Sequence, residues 1–462
     1  MGAGAQKGSS SEARNYGRRA SLLSIGVGIT GLITYLYFAL ASHELSKDQY
    51  GEVAVLWSAV FITVSTLQRP VEQLLSRTIS DHLAGGIPIA RPVRVAATIQ
   101  LAVSIGFVVV ALLLRVPLQD GLLNGNETLY WIGIGAVAAY GASYFARGFL
   151  AGSHRTTLYA LLIISESVAR TAFPLAVAIG IASGQSVVAM GIVAAPTLSL
   201  IVVPFAFITR GSAATAAPPA TGPEQEAAPE SDFSLARGGG FAAAVFLIML
   251  SEQSFLNAGP LLINASAGAA AAGFIFNILM VARAPLLLFQ AVQTALLPHL
   301  TRLNSDDNER DFRASVRVTL RAVAGFAALI VVAMLIAGPK LMQIAFGDKF
   351  SYERLDLVLI SIGMGFYLSA ATLNQAALAQ GQVRRAAARW VACAIVFVIW
   401  TLVPVISDVF LRVELGYLGA ALLLSALLYA IYRRPHVRPE DEVRPGSTDE
   451  MELQLAAADE AN

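Results

Sequence analysis

Between the apolar runs "LYALLII" and "LAVAIGIA" the chain reads "SESVARTAFP", which sets Glu166 and Arg170 four residues apart. On a helix that spacing places both side chains on one face, and an acid preceding a base is the favourable order. The two can neutralise each other, or an anionic group can compete with Glu166 for the guanidinium. A second set lies further on, with Arg283 in "LMVARAPLLLF" and Glu252 in "LIMLSEQSFLN" beside Gln253 and Asn257. The planar fork of an arginine suits a phosphate or an acidic sugar. A carboxyl such as Glu252 suits a proton or a cation, and Glu252 and Arg283 can equally pair with one another.

Charge inside an apolar segment costs roughly 2.5 kcal/mol or more when it faces lipid, so these groups are expected to face protein or a wet cavity. Asn277, Gln290 and Gln293 on one such segment, and Asn374 and Gln375 on another, can bond neighbouring helices or sugar hydroxyls. Gln68, Arg69, Glu72 and Arg77 gather at an expected cytoplasmic mouth. Pro285 removes a backbone donor and is expected to bend its helix. Cys393 is the sole cysteine and the five histidines show no ligand spacing, so neither a disulfide nor a metal site is expected. No GxxxxGK[ST] motif is present, and all four lysines fall in loops or tails. Any transport is therefore expected to use no cofactor. It would draw on a proton or sodium gradient or on the membrane potential, which supplies about 2.3 kcal/mol per charge per 100 mV.

The elements that must position these residues are membrane helices. Of 462 residues 56% are hydrophobic and only 14% charged, with a mean hydropathy of +0.64. Soluble domains carry about 25% charged residues. The reading is an all-α polytopic membrane protein, with no basic surface for nucleic acid. Segments of about 20 apolar residues occur twelve times, at 20–41, 49–68, 93–114, 129–150, 157–181, 187–208, 238–262, 271–298, 314–337, 355–379, 387–407 and 414–432. The first is too long for a signal peptide and lacks a cleavage site after it.

Lysine and arginine alternate along these segments. One side holds 24 of the 32, the other six (Lys47, Arg115, Lys340, Lys349, Arg354 and Arg412), and Arg170 and Arg283 lie within spans. The positive-inside rule then places both termini in the cytoplasm. Tyr50, Tyr130, Trp131, Trp390 and Tyr432 sit at span ends, where an interfacial aromatic belt is expected.

The expected organisation is a cytoplasmic segment 1–19, a six-helix lobe 20–208, a linker 209–237, a second six-helix lobe 238–432 and a tail 433–462. The Ala/Pro/Gly/Glu-rich linker cannot pack a core, and the acidic tail is read as solvated. The halves repeat weakly. A shift of 222 residues pairs Gly51 with Gly273 and Leu74-Leu75 with Leu296-Leu297, while "LAGSHR" faces "LAQGQVRR". A parallel repeat of this kind implies two lobes about an axis along the membrane normal. Gly148-x-x-x-Gly152 allows close helix packing.

The first hairpin carries "LSKDQYG" (Leu45–Gly51) after a Gly-rich helix and ends near "RTIS" (Arg77–Ser80), and the second half offers "AAAAGFIFNILMVARAPLLLFQAVQTALLPHLTRL". In these elements the chain resembles the oligosaccharidyl-lipid flippases (Wzx-like) of the MOP superfamily, relatives of MATE and MurJ-type proteins. The resemblance implies two six-helix lobes around a central cavity. It also implies transport of a polyprenyl-pyrophosphate-linked oligosaccharide from inner to outer leaflet by alternating access, for cell-surface polysaccharide synthesis, alongside glycosyltransferases or a polymerase of the same pathway. On that reading Arg283, Arg170, Glu166, Glu252, Asn257, Asn277, Gln290 and Asn374 are cavity candidates, with Arg69 and Arg77 at the mouth. A drug or cation exporter of the same fold, a membrane glycan polymerase or ligase, and a non-transporting scaffold are the alternatives. The longest outer loop, about 338–354, has no acid/base constellation for the polymerase.

Overall fold

The structure, a computed structural model, describes residues 26–208, 235–305 and 309–433. The segment 1–19, nearly all of the linker and the tail beyond Arg433 lie outside the described residues. Leu235–Arg237, assigned to the linker, instead open a helix.

All described elements are helical. They are α1 (Gly26–Glu44), α2 (Lys47–Leu67), α3 (Arg69–Ala84), α4 (Ala90–Leu113), α5 (Glu127–Gly152), α6 (Thr156–Ala178), α7 (Gln185–Ser199) and the short α8 (Phe205–Ile208). The second half holds α9 (Leu235–Ala267), α10 (Ala269–Ser305), α11 (Glu309–Phe346), α12 (Arg354–Ala379), α13 (Val383–Leu402) and α14 (Val409–Tyr432). Eleven helices among the described residues are long and apolar enough to cross a membrane. The protein is a multi-pass membrane protein.

The expected spans match these helices with two kinds of difference. The second continues without a loop, so that α2 and α3 form a 38-residue rod from Lys47 to Ala84. The eighth and ninth run on as α10 and α11, of 37 and 38 residues. Polar ends satisfy backbone groups beyond the bilayer as readily as apolar ones within it, so hydropathy underestimates such helices. Pro285 lies inside α10 without interrupting it.

Local signals explain several starts. The "LSKDQYG" turn is a capping box, in which Ser46 accepts from Gln49 N and Gln49 returns a bond to Ser46 N. Asn126 caps α5 and Asp408 caps α14. Gly148 and Gly152 let α5 press on α3, where an added Cβ would come within 2.8 Å of the Glu72 backbone and 2.6 Å of Ser76 O.

The first lobe packs α3, α4, α6 and α7 around α5, and the second packs α10, α11, α13 and α14 around α12, with α9 against α10 and α13. They meet along α2, which lies against both α9 and α10. The repeat-related glycines touch there, with a Cβ on Gly273 standing 3.1 Å from Gly51 Cα, and one on Gly51 overlapping Ala269 O at 1.8 Å. At the same end Tyr50 donates to Asn277, which donates to the Tyr352 hydroxyl at 2.8 Å. Lys349 donates to the carbonyls of Ser42, His43 and Leu45, at 3.2, 2.5 and 2.7 Å. The lobes are therefore sealed at the end bearing the α1–α2 turn.

Most of the expected aromatic belt is interior. Tyr50, Tyr130 and Trp390 are buried, and of the first four only Trp131, at 45% exposure, faces outward. A span end is not a membrane interface where neighbouring helices, of the same lobe for Tyr130 and Trp390, pack over it.

Candidate functional site

Away from the seal the lobes enclose a cavity of about 350 Å³, lined by α1, α2, α3, α5 and α6 on one side and by α9 and α10 on the other. Four arginines (Arg69, Arg147, Arg170 and Arg283) and three glutamates (Glu72, Glu166 and Glu252) line it, among Tyr35, Trp57, Phe61, Tyr140, Tyr144 and Tyr159.

Glu166 and Arg170 point inward from α6 and form the expected i,i+4 pair at 2.9 Å. The pair is not self-contained. Arg147 on α5 binds the other carboxylate oxygen of Glu166 at 2.5 Å, and Ser143 donates to that oxygen at 3.1 Å. One carboxylate thus holds two guanidinium groups, so the cluster carries a net positive charge. Aromatic faces carry the excess: Arg170 lies 4.7 Å from the Trp57 ring centroid and Arg147 lies 4.4 Å from that of Tyr144. Arg170 also donates to the Tyr140 hydroxyl at 2.8 Å. The Nε atoms of Arg147 and Arg170 find no acceptor among the described residues.

Arg283 faces the same space from α10. It donates to Leu256 O, to Asn257 Oδ1 at 2.8 Å, and lies 4.9 Å from the Phe276 centroid. Asn257 is held in turn by Gln253 Oε1 at 3.0 Å. All these partners are neutral, so the pairing of Arg283 with Glu252 does not form. α9 presents Asn257 rather than Glu252 to the guanidinium. The cation whose field reaches Glu252 is Arg69, which is open to the cavity and makes no ion pair among the described residues. Glu72 accepts from the Tyr159 hydroxyl at 3.0 Å.

Six of the ten candidates therefore converge: Arg283, Arg170, Glu166, Glu252, Asn257 and Arg69. Three do not. Asn277 belongs to the seal with Tyr50 and Tyr352. Asn374 accepts from Trp390 Nε1 at 3.0 Å inside the second lobe. Arg77 sits on the exposed part of α3, 3.8 Å from Asp81. The side chain of Gln290 lies outside the described residues. Arg147 was missed because, three residues from its expected span end, it reads as a loop cation. The lining tyrosines were missed because an aromatic in a membrane helix reads as packing. Among the described residues no group of three metal-ligating side chains occurs.

No protein-family model matches the sequence, and no curated protein matches it significantly. Solved structures do match. An inward-facing multidrug resistance MATE family transporter of the MOP superfamily aligns over 89% of this chain and 97% of its own, with a TM-score of 0.63 at 11% identity. The eukaryotic MATE transporter AtDTX14 aligns over 90% and 94%, with 0.60 at 13%. A mutant form of the Vibrio cholerae MATE transporter VcmN aligns over 90% and 97%, with 0.57 at 16%. The chain has the fold of MATE transporters of the MOP superfamily.

Proposed function

We propose that the protein is a transporter working by alternating access, and that it carries a lipid-linked oligosaccharide with an anionic pyrophosphate head group from the inner to the outer leaflet of a bacterial inner membrane. The fold supports the transport reading, and the cavity supports an anionic substrate. The observation that carries the proposal is Arg283, a guanidinium facing the cavity with only neutral partners. With the two-to-one cluster on Glu166, the cavity holds more positive than negative charge. An intramembrane cation without a counter-ion is costly and marks a path for something that supplies one.

The cavity has the size of a small-molecule site, which suits a head group whose lipid tail and distal sugars remain outside. Lining tyrosines offer hydroxyls to sugars, and Trp57 and Phe61 offer apolar faces. A head group phosphate would replace Glu166 as partner of Arg147 and Arg170, and Arg283 would hold it from the opposite lobe. Both lobes would then be tied to one ligand, which is what a coupled rearrangement requires. Coupling to a proton or sodium gradient falls to Glu72 and Glu252, and the membrane potential alone has the correct sign for an anion leaving a cytoplasm that is electrically negative. Glycosyltransferases or a polymerase would supply and consume the glycan.

The test is purified full-length protein in proteoliposomes loaded with a fluorescent polyprenyl-pyrophosphate saccharide, with leaflet location read by an impermeant quencher. Transfer that depends on the protein is the expected result. No transfer, together with export of an organic cation by the same vesicles, would assign the cavity to the cation-exporter reading.

A further inference from the structure

Helix α11 is too long for a bilayer. At 1.5 Å per residue its 38 residues span roughly 57 Å, against a hydrocarbon core of about 30 Å. Between Arg321 and Lys340 it carries no charge, and those 18 residues match the core by themselves. The segment from Glu309 to Arg321 must then pass through the head-group layer.

That segment carries Arg310, Arg313, Arg317 and Arg321, all exposed. At 3.6 residues per turn they fall within an arc of roughly 80°. The same face holds Val332 and Leu335 in the apolar part, exposed at 50% and 53%. The opposite face holds the buried Phe312, Val316, Val323 and Ala327, and the apolar part of α11 is the least buried of the eleven spans. The arginine stripe therefore lies on the lipid-facing side of a peripheral helix and continues its lipid-contacting surface into the head groups. Arg313 pairs with Glu309. No hydrogen bond or ion pair reaches the side chains of Arg310, Arg317 or Arg321 among the described residues. The aromatic ring of Tyr432, at the end of α14, lies within the field of Arg313 and Arg317 at the same level.

We propose that this stripe binds the anionic phospholipid head groups of one bilayer leaflet. Loop cations alone satisfy the positive-inside pattern. A single helical face three turns long, aligned with lipid-facing residues and largely without carboxylate partners, presents its charges at the depth of the phosphates. Each such charge near an anionic surface strengthens attachment by roughly fivefold. The inference is independent of what the cavity carries.

Native mass spectrometry of the full chain from micelles mixed with phosphatidylglycerol and phosphatidylcholine tests it. The wild type is expected to retain phosphatidylglycerol in preference, with the preference falling as ionic strength rises. The triple variant Arg310→Gln/Arg317→Gln/Arg321→Gln is expected to lose most of that preference, at least tenfold, while the corresponding triple lysine variant keeps it. Equal retention of both lipids by the wild type, or a preference insensitive to salt, overturns the proposal even if the glutamine variant does not fold. So does a folded glutamine variant with undiminished preference, or displacement of phosphatidylglycerol by millimolar inorganic phosphate, which would make the stripe a site for soluble anions.

Discussion

Arg147 on α5 binds Glu166 on α6 at 2.5 Å, so the carboxylate that the sequence assigns to Arg170 is shared between two helices. The three residues are one electrostatic unit, and the consequences of removing them differ. Without Glu166, two buried guanidinium groups face each other with only the field of Glu72 on Arg147 to offset them. Removing one partner of a buried ion pair costs about 3–5 kcal/mol. Glu166→Ala is expected to fall in that range in thermal or denaturant unfolding. Arg147→Ala leaves a balanced Glu166–Arg170 pair, and Arg147 is already 12% exposed. It is expected to cost clearly less. Equal losses for the two variants would mean that Glu166 is not the hub.

Arg283 behaves differently because it has no carboxylate to strand. Arg283→Ala removes a half-buried charge bonded to a carbonyl and an amide, so folding is expected to survive with a change of at most about 1–3 kcal/mol. Transfer of the lipid-linked saccharide is expected to drop at least tenfold. Arg283→Lys keeps the charge but loses the planar fork, and is expected to recover only part of the rate. A folded Arg283→Ala protein transporting at the wild-type rate would remove Arg283 from the substrate path.

Much of this arrangement is legible in sequence because bilayer chemistry leaves few options. Glu166 and Arg170 face the cavity, as their cost in lipid demands. The glycines Gly51 and Gly273, related by the 222-residue shift, meet at the lobe interface. Partner choice across helices is another matter. Nothing in the spacing of Glu252 and Arg283 reveals that Asn257 takes the guanidinium, because helix rotation is set by packing all along α9 and α10. Asn277 and Asn374 show the same limit. A polar side chain in a membrane helix signals a partner, but the partner is a tyrosine of the seal in one case and Trp390 in the other. Arg147 was hidden because depth near a span end is uncertain by a turn.

The seal predicts a conformational response. Gly51 has no room for a methyl group, since its Cβ would overlap the Ala269 carbonyl, and backbone cannot yield as a side chain does. Gly51→Ala is expected to part the lobes at the α1–α2 end. Spin labels at Glu44 and Asp348, flanking this contact, are expected to show a longer distance population in the variant. An unchanged distance distribution in a folded Gly51→Ala protein would place the seal elsewhere.

Lys349 supplies the polar half of that seal. Its ammonium caps the last carbonyls of α1, where a cation is favoured by the helix dipole at about 0.3–1 kcal/mol, and more when partly buried. Lys349→Met keeps the stem and removes the charge. It is expected to raise the open population between the same labels by about twofold to tenfold, without the steric clash of Gly51→Ala. If the lobes stay closed to the same extent, the ammonium contributes nothing to closure.

Glu414 presents a different imbalance. It is fully buried near the start of α14, and the group that faces its carboxyl is a second carboxyl, Asp356. The charged groups acting on it are Asp356, Asp408 and Glu353, all acidic. Arg412, two residues away, turns its guanidinium to Ile406 O instead. A buried carboxylate among acidic neighbours alone is a cost, and glutamine keeps its shape without its charge. Glu414→Gln is therefore expected to leave the thermal midpoint unchanged or raise it, whereas Glu414→Ala, which leaves a void where the buried stem packs, is expected to lower it. A glutamine variant that melts well below the wild type would show that the carboxyl makes a stabilising contact that an amide cannot replace.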